Sequence, residues 1–562
     1  MNDTGNDTAN DSQLSRLTRD LLRRIASHLH PNEVVASLKL VNRETAACLR
    51  DYSRLQLSRA RAHRRTTLTT AQDPWPGHAF VAYWGRPEPW QRQTLPQRRR
   101  LLALAASSCH AASLDVALRH CRVPVPACVE VLEAAAAAGD VAACERLLAP
   151  ELGARDYIVE FAMAAAAQEG QLGVLECIRA RGFVASSTCL GTAARAACYA
   201  GRAEALAWLA ERYPSGAYED GHACWELAIA AAEGGHPELA QQLLARRTAA
   251  SAALTAADNK QRLRRLLCGL AFGCLLPAFE PFRRYIPAAG SAAGGGSGGG
   301  WGWVLDSVTA AGAVLSAMMG SMTSDWERKL IWLQEQCVEA APASVAGAPV
   351  PLAALLFGGA AGGASVYMDW AVAASRADFA TRLRALHAAG FGFPGNAAEE
   401  VAEAAVRWGD MAALDFALDT LGGRVTARVE RAAVCGGDLA VLKFMRQRGA
   451  RFAPQDVVTA AGYQRWAAAR WLADAAAEDA QYGGDDEEDE AWSGAFAHVA
   501  RAGAPLALLR HLHEELGAAV DLAAVAGGGS REAELWAAQS LGVEPSQEEG
   551  GSLATSVGCV WV

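Results

Sequence analysis

What this sequence lacks narrows its function before any motif is read. It has no surplus of positive charge: 52 Lys and Arg stand against 61 Asp and Glu in 562 residues, a net charge of −9. Such a chain offers no overall field for a phosphate backbone, so nucleic acid is not expected as its main partner. Its 14 cysteines contain no CxxC pair and no Cys/His cluster at zinc-ligand spacing. Free thiols in a reducing compartment follow, which points to the cytoplasm, with the nucleus as the alternative. Long apolar runs are also missing. Asp306 interrupts Trp301 to Met322, and Gly, Ala and three Pro dilute Ala340 to Met368, so neither reads as a membrane helix and no membrane is expected. The opening MNDTGNDTANDSQLSR is polar throughout, which excludes a secretory signal and reads as a disordered leader over residues 1–13.

No catalytic constellation emerges either. Gly294, Gly296 and Gly299 satisfy GxGxxG, and Gly295, Ser297 and Gly299 satisfy GxSxG, but both fall in one glycine tract without the strand and helix those motifs need. His511 and His513 flank one residue with no third ligand at metal spacing, and read as an exposed pair. Asp485 to Glu490, DDEEDE, reads as a solvated loop, and the basic clusters Arg59 to Arg65 and Arg98 to Arg100 read as solvated linker faces. Asp, Glu and Arg recur at surface positions of a repeat, with no spacing that builds an acid and base pair. No enzyme, metal or cofactor is expected.

What is present is repetition. GDLAVLKFMRQRGA (Gly437 to Ala450), GQLGVLECIRARGF (Gly170 to Phe183) and DFATRLRALHAAGF (Asp378 to Phe391) are copies of one pattern. Aligned on the residue that begins the turn, the anchors are Cys109, Gly139, Gly170, Gly201, Gly235, Cys274, Asp325, Asp378, Gly409, Gly437, Gln464, Gly503 and Gly529, with Cys274 the weakest. The usual interval is about thirty residues. The longest intervals hold biased segments near 286–303, 340–364 and 478–491, which read as loop insertions. Two small residues usually sit three and four places before the anchor, as in Ala135 and Ala136, Ala166 and Ala167, or Ala231 and Ala232. Small side chains let helices approach closely. After the anchor, apolar residues favour offsets five and eight, as in Leu175 and Ile178, Leu206 and Leu209, Leu330 and Leu333, Leu442 and Met445, which marks one buried stripe. Offset seven is often aromatic (Trp208, Trp332, Phe416, Phe444, Trp471, Trp536) and reads as packing between repeats. Each unit is therefore helix, turn, helix, then a loop that often opens with Gly.

The segments AAAAAGDVAACERLLAP, AAAQEGQLGVLECIRARGF and AAVCGGDLAVLKFMRQRGA resemble the AAxxGHLEVVKxLLxxGA half of an ankyrin repeat. The resemblance runs from about Leu101 to Gly542. It departs at the front of each unit, where VPVPACVEVLEAA at Val123 and RFAPQDVVTAA at Arg451 stand in place of the TPLH segment. The fold expected is all-α: an ankyrin-like helix-pair solenoid of about 13 units over 96–545, with a flexible tail over 546–562. Another helix-pair solenoid is the alternative.

Before the array, LSRLTRDLLRRIASHLHPNEVVASLKLVNRETAACLR places Leu17, Leu21, Ile25 and Leu29 on one helical face and opens a second helix at Pro31-Asn32-Glu33. This three-helix module, residues 14–55, resembles the F-box pattern LPxELLxxIxxxLPxxE followed by an LRLVN-like segment. Thr18 replaces that family's proline, and Thr45 or a neighbour takes the place of its late tryptophan. The resemblance implies docking to the adaptor subunit of a cullin-type ubiquitin ligase, with Leu17, Leu22, Ile25, Leu29, Val34 and Leu38 as contacts. The other reading is a helical cap for the first repeat. Residues 56–95 read as a linker carrying the first basic cluster.

Solenoids leave a long surface between loops and helices, so the expected function is a non-catalytic protein-protein interaction adaptor, a ligase substrate receptor if the N-terminal module docks as the resemblance implies. A plain scaffold with a capping leader is the alternative. Residues of first helices that break the small or apolar pattern, Glu160, Trp225 and Glu226, are the expected partner contacts on the array.

Overall fold

The computed structural model describes residues 18–543 except 37, 42, 53–57, 60–69, 124–127, 150–155, 215–220, 247–255, 287–300, 306–307, 341–369, 392, 394–395 and 481–484. The leader, the tail, the glycine tract with both of its nucleotide- and hydrolase-like motifs, most of the three insertions and Arg61, Arg64 and Arg65 lie outside the described residues. The chain divides into two compact units, Met1–Trp90 with Arg98–Arg448, and Gln91–Gln97 with Gly449–Val562.

The repeat anchors all fall between two helical elements. In the first unit they separate Leu95–Ala106 from Ala111–His120, Val129–Ala138 from Val141–Leu147, Asp156–Glu169 from Leu172–Ala180, Ser187–Tyr199 from Ala203–Arg212, and Gly221–Glu233 from Pro237–Ala245. Further along they separate Ala256–Gly273 from Leu276–Tyr285, Val308–Met319 from Trp326–Ala340, Trp370–Ala374 from Phe379–Ala388, Ala397–Trp408 from Met411–Asp415, and Ala427–Gly436 from Leu439–Gln447. In the second unit the pairs are Pro454–Gly462 with Trp466–Ala480, Asp485–Arg501 with Leu506–Glu514, and Leu522–Gly528 with Arg531–Ser540. From Val129–Ala138 onward, and within each unit, the first helix of a pair packs on the first helix of the next, which is the stacking of a helical repeat solenoid.

The turn explains why the pattern recurs. Nine of the anchors have left-handed backbone, including the two non-glycines Cys109 (φ 52°) and Gln464 (φ 58°). The other left-handed residues, Arg122, Gly182, Gly390, Gly422, Gly449, Gly517 and Gly542, close second helices. At the anchor, the following N–H donates back to the carbonyl four residues before it, as in Gln171 N to Ala166 O (2.8 Å) and Arg202 N to Ala197 O (2.8 Å). This is the helix-ending motif that favours glycine. Where the next residue is Asp, it starts the second helix: Asp140 Oδ1 accepts from Ala143 N at 2.9 Å, and Asp410 Oδ1 from Ala413 N at 3.0 Å.

A second job falls to the glycine just before the anchor. A Cβ on Gly234 would lie 1.8 Å from the Tyr199 carbonyl oxygen, and one on Gly273 2.3 Å from that of Ala232. The ends of successive first helices therefore meet backbone to backbone, and the paired alanines, Ala135, Ala136, Ala166, Ala167, Ala231 and Ala232, are fully buried between them. Second helices are spaced by larger groups. Phe279 and Trp332 meet edge to face at 5.2 Å, and His387 and Phe416 at 5.7 Å. Small side chains thus line the first-helix row and rings the second-helix row. Leu175, Ile178, Leu206, Leu209, Leu333, Leu442 and Met445 are buried as the stripe predicts, each contributing roughly 1.5–3 kcal/mol, while Leu330 is half-buried.

Three anchors, Cys274, Asp325 and Asp378, are neither glycine nor left-handed, and at the two aspartates the turn is rebuilt with charge. Lys329 and Arg382 each stand four places after an aspartate anchor, where other copies carry Ala143, Val174 or Ala413. The buried Lys329 Nζ donates to Ala271 O (3.0 Å), Ser321 Oγ (2.9 Å) and Thr323 Oγ1 (2.7 Å), and lies 3.4 Å from Asp325. Arg382 Nη1 donates to Met319 O (2.9 Å) and Ser321 O (3.1 Å), its Nε to Asp378 (2.9 Å), and its guanidinium lies 5.0 Å above the Trp326 ring. Both cations thus satisfy carbonyls at the C-terminal end of the preceding first helix, which also carries the negative end of the helix dipole.

Several expectations need correction. The residues read as a linker include helices Gly77–Trp84 and Pro87–Gln91, with Phe80 and Trp90 buried and Trp90 Nε1 donating to Trp84 O at 2.7 Å. Arg98 to Arg100 lie on a helix, and Arg98 Nη1 donates to Cys121 O at 3.3 Å, so this is no solvated linker face. Ser58–Arg59 pairs antiparallel with Thr70–Ala71. The DDEEDE segment is not a loop: it begins helix Asp485–Arg501, because acidic residues suit the positive end of a helix dipole. After Cys274 the second element is a 3-10 helix, since Pro277 and Pro281 remove two backbone donors. None of the described helices is long and apolar enough to cross a membrane.

The N-terminal module packs Arg19–His28, Pro31–Ala36 and Arg43–Cys48 around Leu22, Ala26, Val34, Cys48 and Leu49. Thr18 caps its first helix, accepting from Leu21 N. The buried face is rotated from the one the spacing suggests: Leu22 and Ala26 point inward, while Leu21 and Ile25 are exposed.

Candidate partner-binding cleft

Two places before the anchor, three successive copies carry Tyr199, Glu233 and Phe272. They stand on the last turns of Ser187–Tyr199, Gly221–Glu233 and Ala256–Gly273, which are consecutive in the first-helix row. All three line one cleft of about 430 Å³ in the first unit. Its remaining wall includes Cys268, Val372 and Trp408, and its small residues are Ala313, Ser316, Ala317, Ala371 and Ser375.

The backbone fixes these side chains. The glycines that follow Glu233 and Phe272 admit no Cβ, so neighbouring helix ends cannot separate without losing the turn. Phe272 O accepts from Met322 N (2.9 Å) and Ser321 Oγ (3.2 Å), which ties its helix to the next pair. Ser375 Oγ donates to Val372 O at 2.7 Å. Trp408, the last residue of its helix, is 53% exposed, unusual for a tryptophan and consistent with an open binding wall.

Glu233 is the only ionisable carboxylate lining the cleft, among the described residues. Burial first, and the nearby Glu233 charge second, push the Cys268 thiol up to about 12, so it is a protonated wall and no nucleophile. Arg265, on the same helix as Cys268, is engaged in a two-pronged pair with Glu226, Nη2 to Oε2 being 2.7 Å. The cleft lining therefore combines aromatic rings with one carboxylate.

The residues singled out from the sequence lie elsewhere. Trp225 is 1% exposed, with its ring against Tyr285 at 6.5 Å, so it is core and not a partner contact. Glu226 is taken by Arg265, and Glu160 is half-buried and accepts from Ser186 Oγ at 3.0 Å. None of these three lines the cleft. Their departure from the small pattern occurs in the middle of a helix, where it reports packing, whereas the cleft is lined from the helix ends, by Tyr199, Glu233, Phe272 and Trp408. In the N-terminal module Leu22 and Val34 are interior, and Leu29 and Leu38 pack half-buried against them. That leaves Ile25, 40% exposed beside Leu21, Leu40 and Val41, as the candidate open to a partner. Leu17 lies outside the described residues.

The histidine pair is not an exposed one. His511 is buried with Nε2 2.8 Å from Asp474 Oδ1, and burial, then the Arg470 charge, hold its pKa below the ordinary value. His513 is half-buried, Nδ1 lying 2.8 Å from Ala518 O. No group of metal-ligating side chains occurs among the described residues.

No family model matches this chain, and no curated protein matches it. Among solved structures, the crystal structure of the pentatricopeptide repeat protein PPR10 from maize aligns with 96% of this chain and 79% of its own, at 14% identity and a TM-score of 0.28. A score of that size carries no assignment of family or function.

Proposed function

We propose that this chain is a non-catalytic scaffold that holds another protein in the first-helix cleft, as a divergent ankyrin-type array. The observation that carries the reading is the cleft itself: ring and acid side chains projected at equivalent repeat positions into a concavity, beside an exposed tryptophan. Buried aromatic anchors within a concave surface are what protein recognition uses. The one cysteine of the cleft, Cys268, is held protonated, and the buried cations Lys329 and Arg382 are committed to turns and ion pairs, which supports a structural use for these groups.

A photocrosslinking residue placed at Trp408 is expected to capture a discrete protein in the native cell, whereas the same residue at Lys443, exposed on a second helix, captures none. Equal capture at both positions overturns the reading, and so does capture of RNA at Trp408.

The F-box-like module supplies a second reading, a substrate receptor tethered to a cullin-type ligase. Its support is the exposure of the apolar side chains Leu21, Ile25, Leu40 and Val41 on a folded three-helix core. Purified adaptor subunit is expected to bind the full chain and to lose binding on Ile25→Asp, a change at an exposed position that leaves the core intact. Failure of the intact chain to bind leaves the module as a cap.

A further inference from the structure

We infer that a second protein-binding surface lies on the first helices Val129–Ala138, Asp156–Glu169 and Ser187–Tyr199. Its occupant is an extended polypeptide segment in which an apolar residue has a basic residue on one side and an acidic residue on the other. The inference stands on side chains outside the cleft and is independent of the cleft's reading.

Tyr157 and Phe161 stand four places apart, so both project from one face of Asp156–Glu169, and they are 42% and 52% exposed. No other first helix of the array presents two exposed large apolar side chains, among the described residues. A lone exposed ring is ordinary, whereas two on one face suit an interface anchor. The helices packed on either side carry opposite charge at matching positions. Nine and six places before the anchor stand Glu130 and Glu133 in one neighbour, Phe161 and Ala164 in the middle helix, and Thr192 and Arg195 in the other. Glu130, Thr192 and Arg195 are exposed, and Glu133 and Ala164 are half-buried. The charge that acts on Glu133 is that of Glu130; burial first, and that second acid next, push its carboxyl up to about 7, as they could not if a cation neutralised the pair. Glu160, beside Phe161 in the chain, accepts from Ser186 Oγ at 3.0 Å, and Thr192 Oγ1 donates to Thr188 O at 2.9 Å. The rings are thus flanked by two acids on one side and an arginine on the other. A purely apolar segment leaves both flanks without a counter-ion, and a uniformly basic one is repelled by Arg195, so the complementary segment carries opposite charges about an apolar anchor. Adjacent helix axes are about 8–10 Å apart and an extended chain advances about 3.3 Å per residue, which places each charge about three residues from that anchor.

The test is selection of a random twelve-residue display library on the full chain, with synthetic copies of the recovered peptides titrated against variants at exposed positions. Peptides are expected to share an apolar residue with Lys or Arg about three places to one side and Asp or Glu about three places to the other. Phe161→Ala should weaken them about tenfold or more. Arg195→Glu should weaken them by a like amount and be restored by a peptide carrying Lys in place of its acidic residue, a rescue that a misfolded chain cannot show. Glu130→Gln should also weaken them, and that loss should vanish for a peptide with norleucine in place of its basic residue. Melting temperatures control for folding, and either charge variant suffices should the other fail to fold. Trp408→Ala should leave these peptides unaffected, so the result expected here is the same whether or not the cleft binds a partner. Recovery of peptides that need Trp408 and none that needs Phe161 overturns the second surface, as does recovery of no peptide at all. Peptides that need Phe161 but show neither the rescue nor the vanishing loss overturn the charge pattern.

Discussion

A single glycine in this chain serves one of two purposes, and substitutions separate them. Gly182 has φ +76° with open space where a Cβ would go, so Gly182→Ala meets only the left-handed backbone and is expected to cost roughly 1 kcal/mol. Gly234 has no such dihedral but faces a carbonyl oxygen; Gly234→Ala must push two helix ends apart and is expected to cost roughly 3 kcal/mol. Gln464 is the converse, a non-glycine at φ 58°, and Gln464→Gly is expected to stabilise by up to about 1 kcal/mol. Urea denaturation of the three variants checks the order, and equal costs for the two alanines would remove the distinction. Glu133 adds a titratable case. Burial, then Glu130, raise it from the ordinary 4.5 to about 7. Its folded state binds the proton more tightly than the unfolded chain, so its contribution is present below pH 4.5 and is lost as pH rises through 7. Glu133→Gln is therefore expected to be the more stable protein at pH 8, by roughly 1–3 kcal/mol, and equal to the parent at pH 4. Melting temperatures at the two pH values decide it.

At the scale of the element, the helix pair was legible because its punctuation is local chemistry. A left-handed residue ends one helix and an aspartate starts the next, and both leave a signature in adjacent letters. Features that depend on a neighbour were not legible. Nothing within DWERK or DFATR says that Lys329 and Arg382 turn inward, because their partners are carbonyls some sixty residues earlier in the chain. The tryptophan at 225 and the ring pair at 199 and 272 differ in which helix face meets the next copy, a tertiary property. Charge density alone makes the acidic start of Asp485–Arg501 look like a solvated loop, since composition does not show the helix dipole that acidic residues favour at an N-terminus. The buried turn cation carries a prediction of its own. Burial alone would raise the Asp325 pKa, but hydrogen bonds from Thr323 and from Leu276 N, with the Lys329 charge, leave it below the ordinary 3.8. Asp325→Asn strands Lys329 in the interior and is expected to cost roughly 3–5 kcal/mol, most of which Asp325→Asn with Lys329→Met recovers. Since the folded pKa is depressed, the pair's contribution is present above pH 3.8 and fades as pH falls through the lower folded value. The stability difference between the parent and Asp325→Asn is expected to shrink in that range, measured by urea titration at stepped pH.

Taken over the whole molecule, the distribution of tryptophan separates what holds the array from what the array holds. Some rings at offset seven lie between second helices and space them, so losing one relaxes the stack, as Trp332 against Phe279 and Phe416 against His387 illustrate. Trp225 is wholly interior, and Trp225→Ala is expected to cost roughly 3–5 kcal/mol, with partner capture falling only as far as the folded fraction does. Trp408 has the opposite profile. It stands on the first-helix row in the lining of the cleft, and more than half of its surface meets solvent. Trp408→Ala removes little that folding depends on and is expected to change stability by less than about 1 kcal/mol. Its loss from the cleft is a different matter, since a truncated aromatic anchor typically costs 2 kcal/mol or more of binding, about thirtyfold in affinity. Melting temperature and affinity for a cleft-selected peptide, measured on the same two variants, give the comparison. A net charge of −9 adds that the binding should weaken with rising salt if the partner is basic, and Trp408→Ala should leave that salt slope unchanged, because it removes a ring and no charge.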